Sequence, residues 1–165
     1  MADTYYDGEQ TFGSKAFFYE NANFEGGLNL ESSANVKEIY EKICVYDGAA
    51  YEDISIDVNK GSLHNYTKNS TGNFSFNIKN LKGVPTQRSI VVTILIPMGS
   101  SAYVISNPTT TGFKIDDKQV EVKWINTTSP TSGFTNAVNV YTFAIIKNDT
   151  SSYTVLGTLS SFGAG

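Results

Sequence analysis

Residues 90–96 read IVVTILI, an unbroken run in which Thr93 is the only polar side chain. Side chains that branch at Cβ fit a pleated strand and lose rotamer freedom in a helix, so the run predicts a β-strand. Both alternating sets of positions are apolar, which is typical of a strand covered on both faces or lying at the centre of a sandwich. Pro97 ends the run far short of the ~20 residues that a membrane-spanning helix needs.

On either side of this run, other segments show the patterns of further strands. Apolar and polar residues alternate at 54–58, 74–78 and 120–124, and a longer apolar segment occupies 138–146. Tyr153, Val155 and Leu159 indicate a last strand at 153–159. Clusters of Gly, Asn, Asp, Ser and Pro separate these segments, and such clusters favour turns. Several short strands at this spacing predict an all-β fold, an antiparallel β-sandwich or jelly-roll-like domain.

One short helix is predicted near residues 35–44. Apolar residues recur at the i, i+3, i+4 and i+7 positions from Val36 to Ile43, which would place them on one helical stripe. Asn35, followed three residues later by Glu38, forms the pattern of a capping box at the start of this helix.

The length of 165 residues predicts one domain. Residues 1–14 contain two glycines and show no periodicity, so we expect a flexible N-terminal segment there. The single β-sandwich domain is then predicted to span residues 15–165.

The charge pattern argues against two classes of partner. Twelve basic and sixteen acidic residues give a net charge of −4, and no two basic residues are adjacent, so we predict no binding to nucleic acid. The N-terminus lacks the basic region and apolar core of a signal peptide, and no segment has the length of a membrane span. The sequence therefore predicts synthesis in a cytosol and no membrane partner.

Residue types that carry most enzyme chemistry are scarce. His64 is the only histidine, no nucleophile motif accompanies it, and its polar surroundings predict a solvated surface residue. Cys44 is the only cysteine and is predicted to be a small buried hydrophobe, which excludes an internal disulfide and a His/Cys metal site. Asp116-Asp117 reads as a β-turn and lacks the alternating carboxylates of a calcium loop. We predict no enzyme, no metal and no cofactor, although two carboxylates distant in the chain stay open as a pair.

Aromatic residues make up 13% of the chain and supply the candidate binding residues. Tyr5, Tyr6 and Phe12 lie in the N-terminal segment with no evident core to join, so we predict that they dock onto a partner. Trp124 ends an alternating strand and is a further docking candidate. Two other roles stay open for Trp124. It would pack in the core or in a subunit interface, or it would serve as a platform on which a sugar stacks.

The C-terminal third resembles the β-rich module of tailed-bacteriophage virion proteins, especially the fibre-like and capsid-surface proteins of marine phages. The resemblance rests on FKIDDKQVEVKW at 113–124, SPT at 129–131, NAVNVYTFAII at 136–146 and YTVLG at 153–157. It extends weakly to NFSFNI at 73–78 and covers about 90 residues. Asn139 stands where an aspartate is usual, and Ile125-Asn126 where glycines are usual; these changes affect loop shape more than fold.

This resemblance implies a non-enzymatic structural protein located in the virion. Its leading form is a capsid decoration (cement) protein that binds the major capsid protein of the shell, since the sequence shows no fibre shaft. The alternative is a tail fibre or receptor-binding tip that recognises a host surface glycan. Other virion proteins and further copies of the chain are the implied partners, with a homo-oligomer such as a trimer.

A second, local resemblance connects residues 18–26, FYENANFEG, with the first hairpin of βγ-crystallins. That family's calcium motif is not matched at residues 51–55, YEDIS, so no calcium site is carried over.

Overall fold

The computed structural model describes residues 41–108 and 111–163. The chain divides into two units, Met1–Ile39 and Tyr40–Gly165, and every described residue belongs to the second. The predicted N-terminal segment 1–14 and the boundary at residue 15 lie outside the described residues, so both stay predictions.

The described residues form ten strands and three single turns of 3-10 helix. The strands are β1 Ile43–Ala49, β2 Glu52–Asp57, β3 Leu63–Lys68, β4 Phe74–Lys79, β5 Arg88–Pro97, β6 Phe113–Ile115, β7 Lys118–Gln119, β8 Val122–Trp124, β9 Ala137–Lys147 and β10 Tyr153–Gly163. The turns are Val58–Lys60, Leu81–Gly83 and Ile125–Thr127. The all-β prediction is confirmed. Within the described ranges, no helix has the length and apolar character to cross a membrane.

The strands form two sheets, and both sheets are mixed. One has six strands in the order β1-β3-β5-β9-β10-β8, and the other has four in the order β2-β4-β6-β7. From β1 to β6 each strand lies in the other sheet from the one before it, so neighbours within a sheet run parallel. Antiparallel pairing is confined to β5–β9, β9–β10 and β6–β7.

The antiparallel prediction is therefore wrong for five of the eight strand pairs of the described residues, because several turns carry the chain to the other sheet instead of closing a hairpin. The turn at 59–61 is the clearest case. Gly61 has a φ of +143°, and a Cβ there would lie 2.5 Å from the carbonyl oxygen of Lys42. Only glycine allows the chain this close approach as it enters β3.

The helix predicted near 35–44 is wrong at its C-terminal end, since Ile43 and Cys44 belong to β1. These residues pair in parallel with Leu63 and His64 of β3, and β1 alternates exposed and half-buried positions along most of its length. Pairing with β3 overrides the helical spacing of the apolar residues. β-branched residues such as Ile43 also favour a strand, because they lose rotamer freedom in a helix. Residues 35–40 lie outside the described part of the chain.

The core lies where aromatic side chains of the two sheets meet. Phe76 of β4 packs against Tyr141 and Phe143 of β9, with ring centroids 5.2 and 5.5 Å apart. Phe113 of β6 lies 4.6 Å from Phe143. All four rings are at most 1% exposed. Edge-to-face and tilted pairs of this kind contribute about 0.5–1.5 kcal/mol each beyond the area they bury.

The turn at residues 81–84 is held from both sides by charged groups. Lys147, 5% exposed at the end of β9, donates from Nζ to the carbonyl oxygens of Leu81, Lys82 and Val84 at 3.2, 2.9 and 2.7 Å. The Asp116 carboxylate accepts from the backbone N–H groups of Asn80 and Lys82 at 2.7 and 3.1 Å. Lys147 thereby ties the end of the six-stranded sheet to the turn that follows β4.

Candidate functional site

His64 is fully buried on the inner side of β3, which corrects the prediction of a solvated surface residue. Its Nε2 lies 3.0 Å from the carbonyl oxygen of Gly61, which can only accept, so Nε2 carries the proton. Nδ1 then accepts from the hydroxyl of Tyr46 at 3.0 Å. Burial lowers the pKa of His64, because the imidazolium loses its hydration. The ring is neutral and occupied at both nitrogens, an arrangement that holds β1, β3 and the Gly61 turn together.

Sequence reasoning missed β3 because its residues, LHNYTK, look like a polar loop. His64 and Tyr66 point inward together, and the Tyr66 ring stacks on Tyr46 with centroids 4.7 Å apart. Burial raises the pKa of Tyr66 to about 12, and it also raises the pKa of Tyr46. The sequence signal for β3 is the ring-bearing side chains at alternate positions, His64 and Tyr66. A hydropathy pattern misses it, because both residue types count as polar.

Trp124 lies in β8 and is 7% exposed. Its Nε1 donates to the carbonyl oxygen of Pro108 at 3.3 Å, and its ring meets Phe143 edge-on. Gly157 of β10 lies beside it, where a Cβ would come within 3.1 Å of the indole and 2.6 Å of Val122. This burial favours core packing for Trp124 over partner docking or sugar stacking.

The three other docking candidates, Tyr5, Tyr6 and Phe12, lie outside the described residues, so their role stays a prediction. Cys44 is half-buried in β1. Over residues 41–108 and 111–163, no three His, Cys, Asp or Glu side chains gather in a group that could hold a metal ion. The described chain offers surfaces for binding, and its two sheets differ sharply in what they expose.

The outward side of the six-stranded sheet is rich in apolar side chains, several of them exposed, among uncharged Ser, Thr and Asn. Val45 of β1, Val91 of β5, and Leu156 and Phe162 of β10 are 62%, 51%, 45% and 66% exposed. We call this surface the apolar face and define it by its outward apolar residues: Ile43, Val45, Leu63, Val91, Leu95, Val138, Val140, Ala144, Ile146, Leu156 and Phe162.

The strand register gathers the apolar residues of neighbouring strands into two groups, on either side of a row of threonines. Ala144 of β9 lies between Val91 and Leu156. Val138 of β9 lies between Pro97 and Phe162 in the same way. None of the outward residues of β5, β9 and β10 is charged, and in β3 the one exposed charge is Lys68 at its end, which pairs with Asp47 of β1 at 3.3 Å. Charged outward side chains of this sheet stand at its edge strands, β1 and β8.

The outward side of the four-stranded sheet is polar and hydrogen-bonded. Asn77 of β4 donates from Nδ2 to the Asp117 carboxylate at 2.8 Å, and Lys79 pairs with the same carboxylate. These two contacts, with that of Lys79 first, lower the pKa of Asp117. Lys114 of β6 lies 3.9 Å from Asp53 of β2 across a shallow cleft of about 460 Å³. This is the face of the described chain that has the composition of an ordinary solvent-exposed surface.

Sequence reasoning found the strands of the apolar face but expected both of their sides to be covered. The run at 90–96 and the segment at 138–146 are apolar at both alternating sets of positions. In the structure, the inward set fills the core and the outward set, with Val91 as its most open member on β5, faces away from it.

Comparisons with family models, curated proteins and solved structures find no match to this chain.

Proposed function

We propose that this chain is a non-enzymatic structural protein that acts within an assembly, and that the assembly is the virion of a tailed phage. The observation that carries the first part is the apolar face, with Val45, Val91, Leu156 and Phe162 about half exposed or more. Contiguous apolar patches beyond a few hundred Å² mark interaction sites on soluble proteins.

The placement of the chemically versatile side chains supports a structural role. His64 has both ring nitrogens occupied by Tyr46 and Gly61 and is closed to solvent. A general base must reach the proton that it abstracts, and a ring enclosed in this way reaches no substrate. The buried Lys147 is committed to three backbone carbonyls.

The virion part of the proposal rests on the resemblance of residues 113–157 to phage virion modules. Those residues include β6 to β9 and the start of β10. The finer architecture that we propose is a β-sandwich with jelly-roll-like character, its two sheets joined by the aromatic core. The proposed role is capsid decoration, in which segment 1–14 contacts the major capsid protein.

A second candidate is the receptor-binding tip that recognises a host glycan. The polar cleft favours it, because Asp53, Ser75, Lys114 and Gln119 line it with hydrogen-bonding groups. Tyr51, 53% exposed, stands beside Asp53 and could stack on a sugar ring.

Quantitative mass spectrometry of purified particles of the phage that encodes the chain tests these proposals. A decoration protein is expected near one copy per capsid subunit or per capsid symmetry unit, and a fibre tip at a small fraction of that number. Absence of the chain from particles would refute the virion proposal.

The predicted docking segment is tested separately with Tyr5, Tyr6 and Phe12 changed together to alanine. Particle occupancy should fall while the melting temperature stays unchanged. The matched control changes Thr4, Glu9 and Gln10 to alanine in the same segment. Equal occupancy of the two variants would remove the docking role.

A further inference from the structure

We infer that two copies of this chain associate face to face through the apolar face. The inference goes beyond the proposed function, because it identifies the surface and its occupant and holds wherever the assembly is located. Four observations point to a second copy: the charge distribution, the row of threonines, the area, and the composition of the strands.

The charge distribution favours a second copy over a charged partner. The chain carries a net charge of −4, so two copies repel each other over most orientations. The outward residues of β5, β9 and β10 contain no charge. The charges stand toward the two edges of the sheet, where Asp47 of β1 pairs with Lys68 of β3 at one edge and Lys123 of β8 lies at the other. Two such faces meet without burying an unpaired charge, whereas an acidic or basic partner would find no counter-charge there.

A row of threonines crosses the middle of the apolar face and is self-complementary. Thr142 of β9 lies between Thr93 of β5 and Thr158 of β10 in the strand register. Each hydroxyl both donates and accepts, so the same row on a second copy satisfies it. A two-fold interface requires this property, since each surface meets an identical one.

The size of the apolar face suits a dimer of ordinary area. Strands β9 and β10 have 11 residues each, β5 has 10 and β3 has 6. At about 3.3 Å per residue and 4.8 Å between strands, the flat footprint is about 600 Å². Because side chains protrude from the flat sheet, the accessible area is larger than this footprint and approaches the ~800 Å² that each partner buries in a standard interface.

The composition of the strands fits a sheet that packs on both sides. A sheet with one face in water alternates apolar and polar residues, whereas β5 and β9 are apolar at most outward positions as well as inward ones. Face-to-face packing of two such sheets about 10 Å apart would cover Val91, Leu156 and Phe162 as core residues.

The test is the mass of the full chain in solution, measured by sedimentation equilibrium. A concentration of about 100 µM is used, because it exceeds the micromolar Kd of weak specific interfaces. We expect twice the 18.0 kDa of one chain. Val91→Lys with Leu156→Lys should return the mass to that of one chain. The matched control is Ile125→Lys with Phe134→Lys. These side chains are 59% and 54% exposed and lie outside the apolar face, so this variant should leave the dimer intact.

The milder pair Val91→Thr with Leu156→Ser guards against misfolding of the lysine variant. This pair should raise the dimer Kd at least tenfold. Its far-ultraviolet circular dichroism spectrum should match that of the unmodified chain, which shows that the fold is kept. A wild-type chain that is monomeric or trimeric at this concentration would overturn the inference. So would a dimer that survives the face variants and is lost in the control. A dimer absent from particles would refute the virion proposal alone, and a monomer present on particles would refute this inference alone.

Discussion

Replacing Lys147 by methionine removes the ammonium that holds the turn at residues 81–84. Methionine keeps an unbranched apolar stem but donates no hydrogen bond. The carbonyl oxygens of Leu81, Lys82 and Val84 then lose donors that lie 3.2, 2.9 and 2.7 Å away in the native protein.

The expected cost of Lys147→Met is about 3 kcal/mol of unfolding free energy. Hydrogen bonds to a charged donor contribute about 1.5–3 kcal/mol each, and a buried acceptor left without a partner costs about 1–3 kcal/mol. The contacts to Lys82 and Val84 are only part-buried, so water replaces part of the loss there. Removing the desolvation cost of the buried ammonium offsets a further part.

Urea unfolding followed by circular dichroism measures this loss, and a thermal melt should show a decrease of about 6–12 °C for a domain of this size. Lys79→Met is the matched control, because Lys79 pairs with Asp117 at the surface, where an ion pair contributes at most about 1 kcal/mol. If the two methionine variants lost the same stability, the buried ammonium would not be what holds the turn.

Three further predictions follow from buried polar groups and close contacts. Asn139 is fully buried, and its amide finds no hydrogen-bond partner in the described chain, so Asn139→Leu should raise stability by about 1–2 kcal/mol in urea unfolding. Asn77→Leu, which removes two hydrogen bonds to Asp117, should lower it by about 1 kcal/mol, and the same sign for both variants would contradict the reasoning. Because the folded pKa of His64 is lowered, the unfolded chain binds its proton first, and stability should fall as pH drops below about 6.5, by at most ~1.4 kcal/mol per pH unit. His64→Gln should abolish that slope between pH 7 and 5, and an unchanged slope would assign it to other groups. Gly157→Ala, which crowds the β8 contact, should cost about 1–3 kcal/mol in the same assay, whereas Gly48→Ala meets no atom within 4 Å and should be near neutral; equal losses would contradict the crowding.

The strands with strong hydropathy patterns could be predicted from the sequence, and the sheet topology could not. The segments at 54–58, 74–78, 90–96, 138–146 and 153–159 correspond to β2, β4, β5, β9 and β10, with ends that differ by a few residues. Strand direction depends on which sheet each turn leads into, and that is decided by distant contacts such as the approach of Gly61 to Lys42.

The strands of the apolar face can be predicted from the sequence, but what covers their outward side cannot. Apolar residues at both alternating positions of 90–96 predict a strand with cover on both sides. The structure confirms the strand and its inward burial, but Val91 on the outward side is 51% exposed. Hydropathy does not tell whether that cover comes from the same chain or from another. His64 was misplaced for a related reason, because a ring that is polar by composition is apolar enough to bury once Tyr46 and Gly61 satisfy its nitrogens.

The six-stranded sheet differs in two respects from a sheet with one face in water, although most of its inward positions are apolar core residues. Its inward positions hold the buried polar residues His64, Asn139 and Lys147, while its outward positions on β5 and β9 are mostly apolar. Buried polar groups cost stability unless they are satisfied, and outward apolar groups gain nothing from solvent. His64 and Lys147 are satisfied by hydrogen bonds, so the unfavourable features of an isolated monomer are the unpaired amide of Asn139 and the exposed apolar side chains. The second becomes favourable when another surface covers the apolar face. The polar outward side of the four-stranded sheet then supplies the surface that faces water, so the difference between the two sheets argues for a chain built to work as part of an assembly.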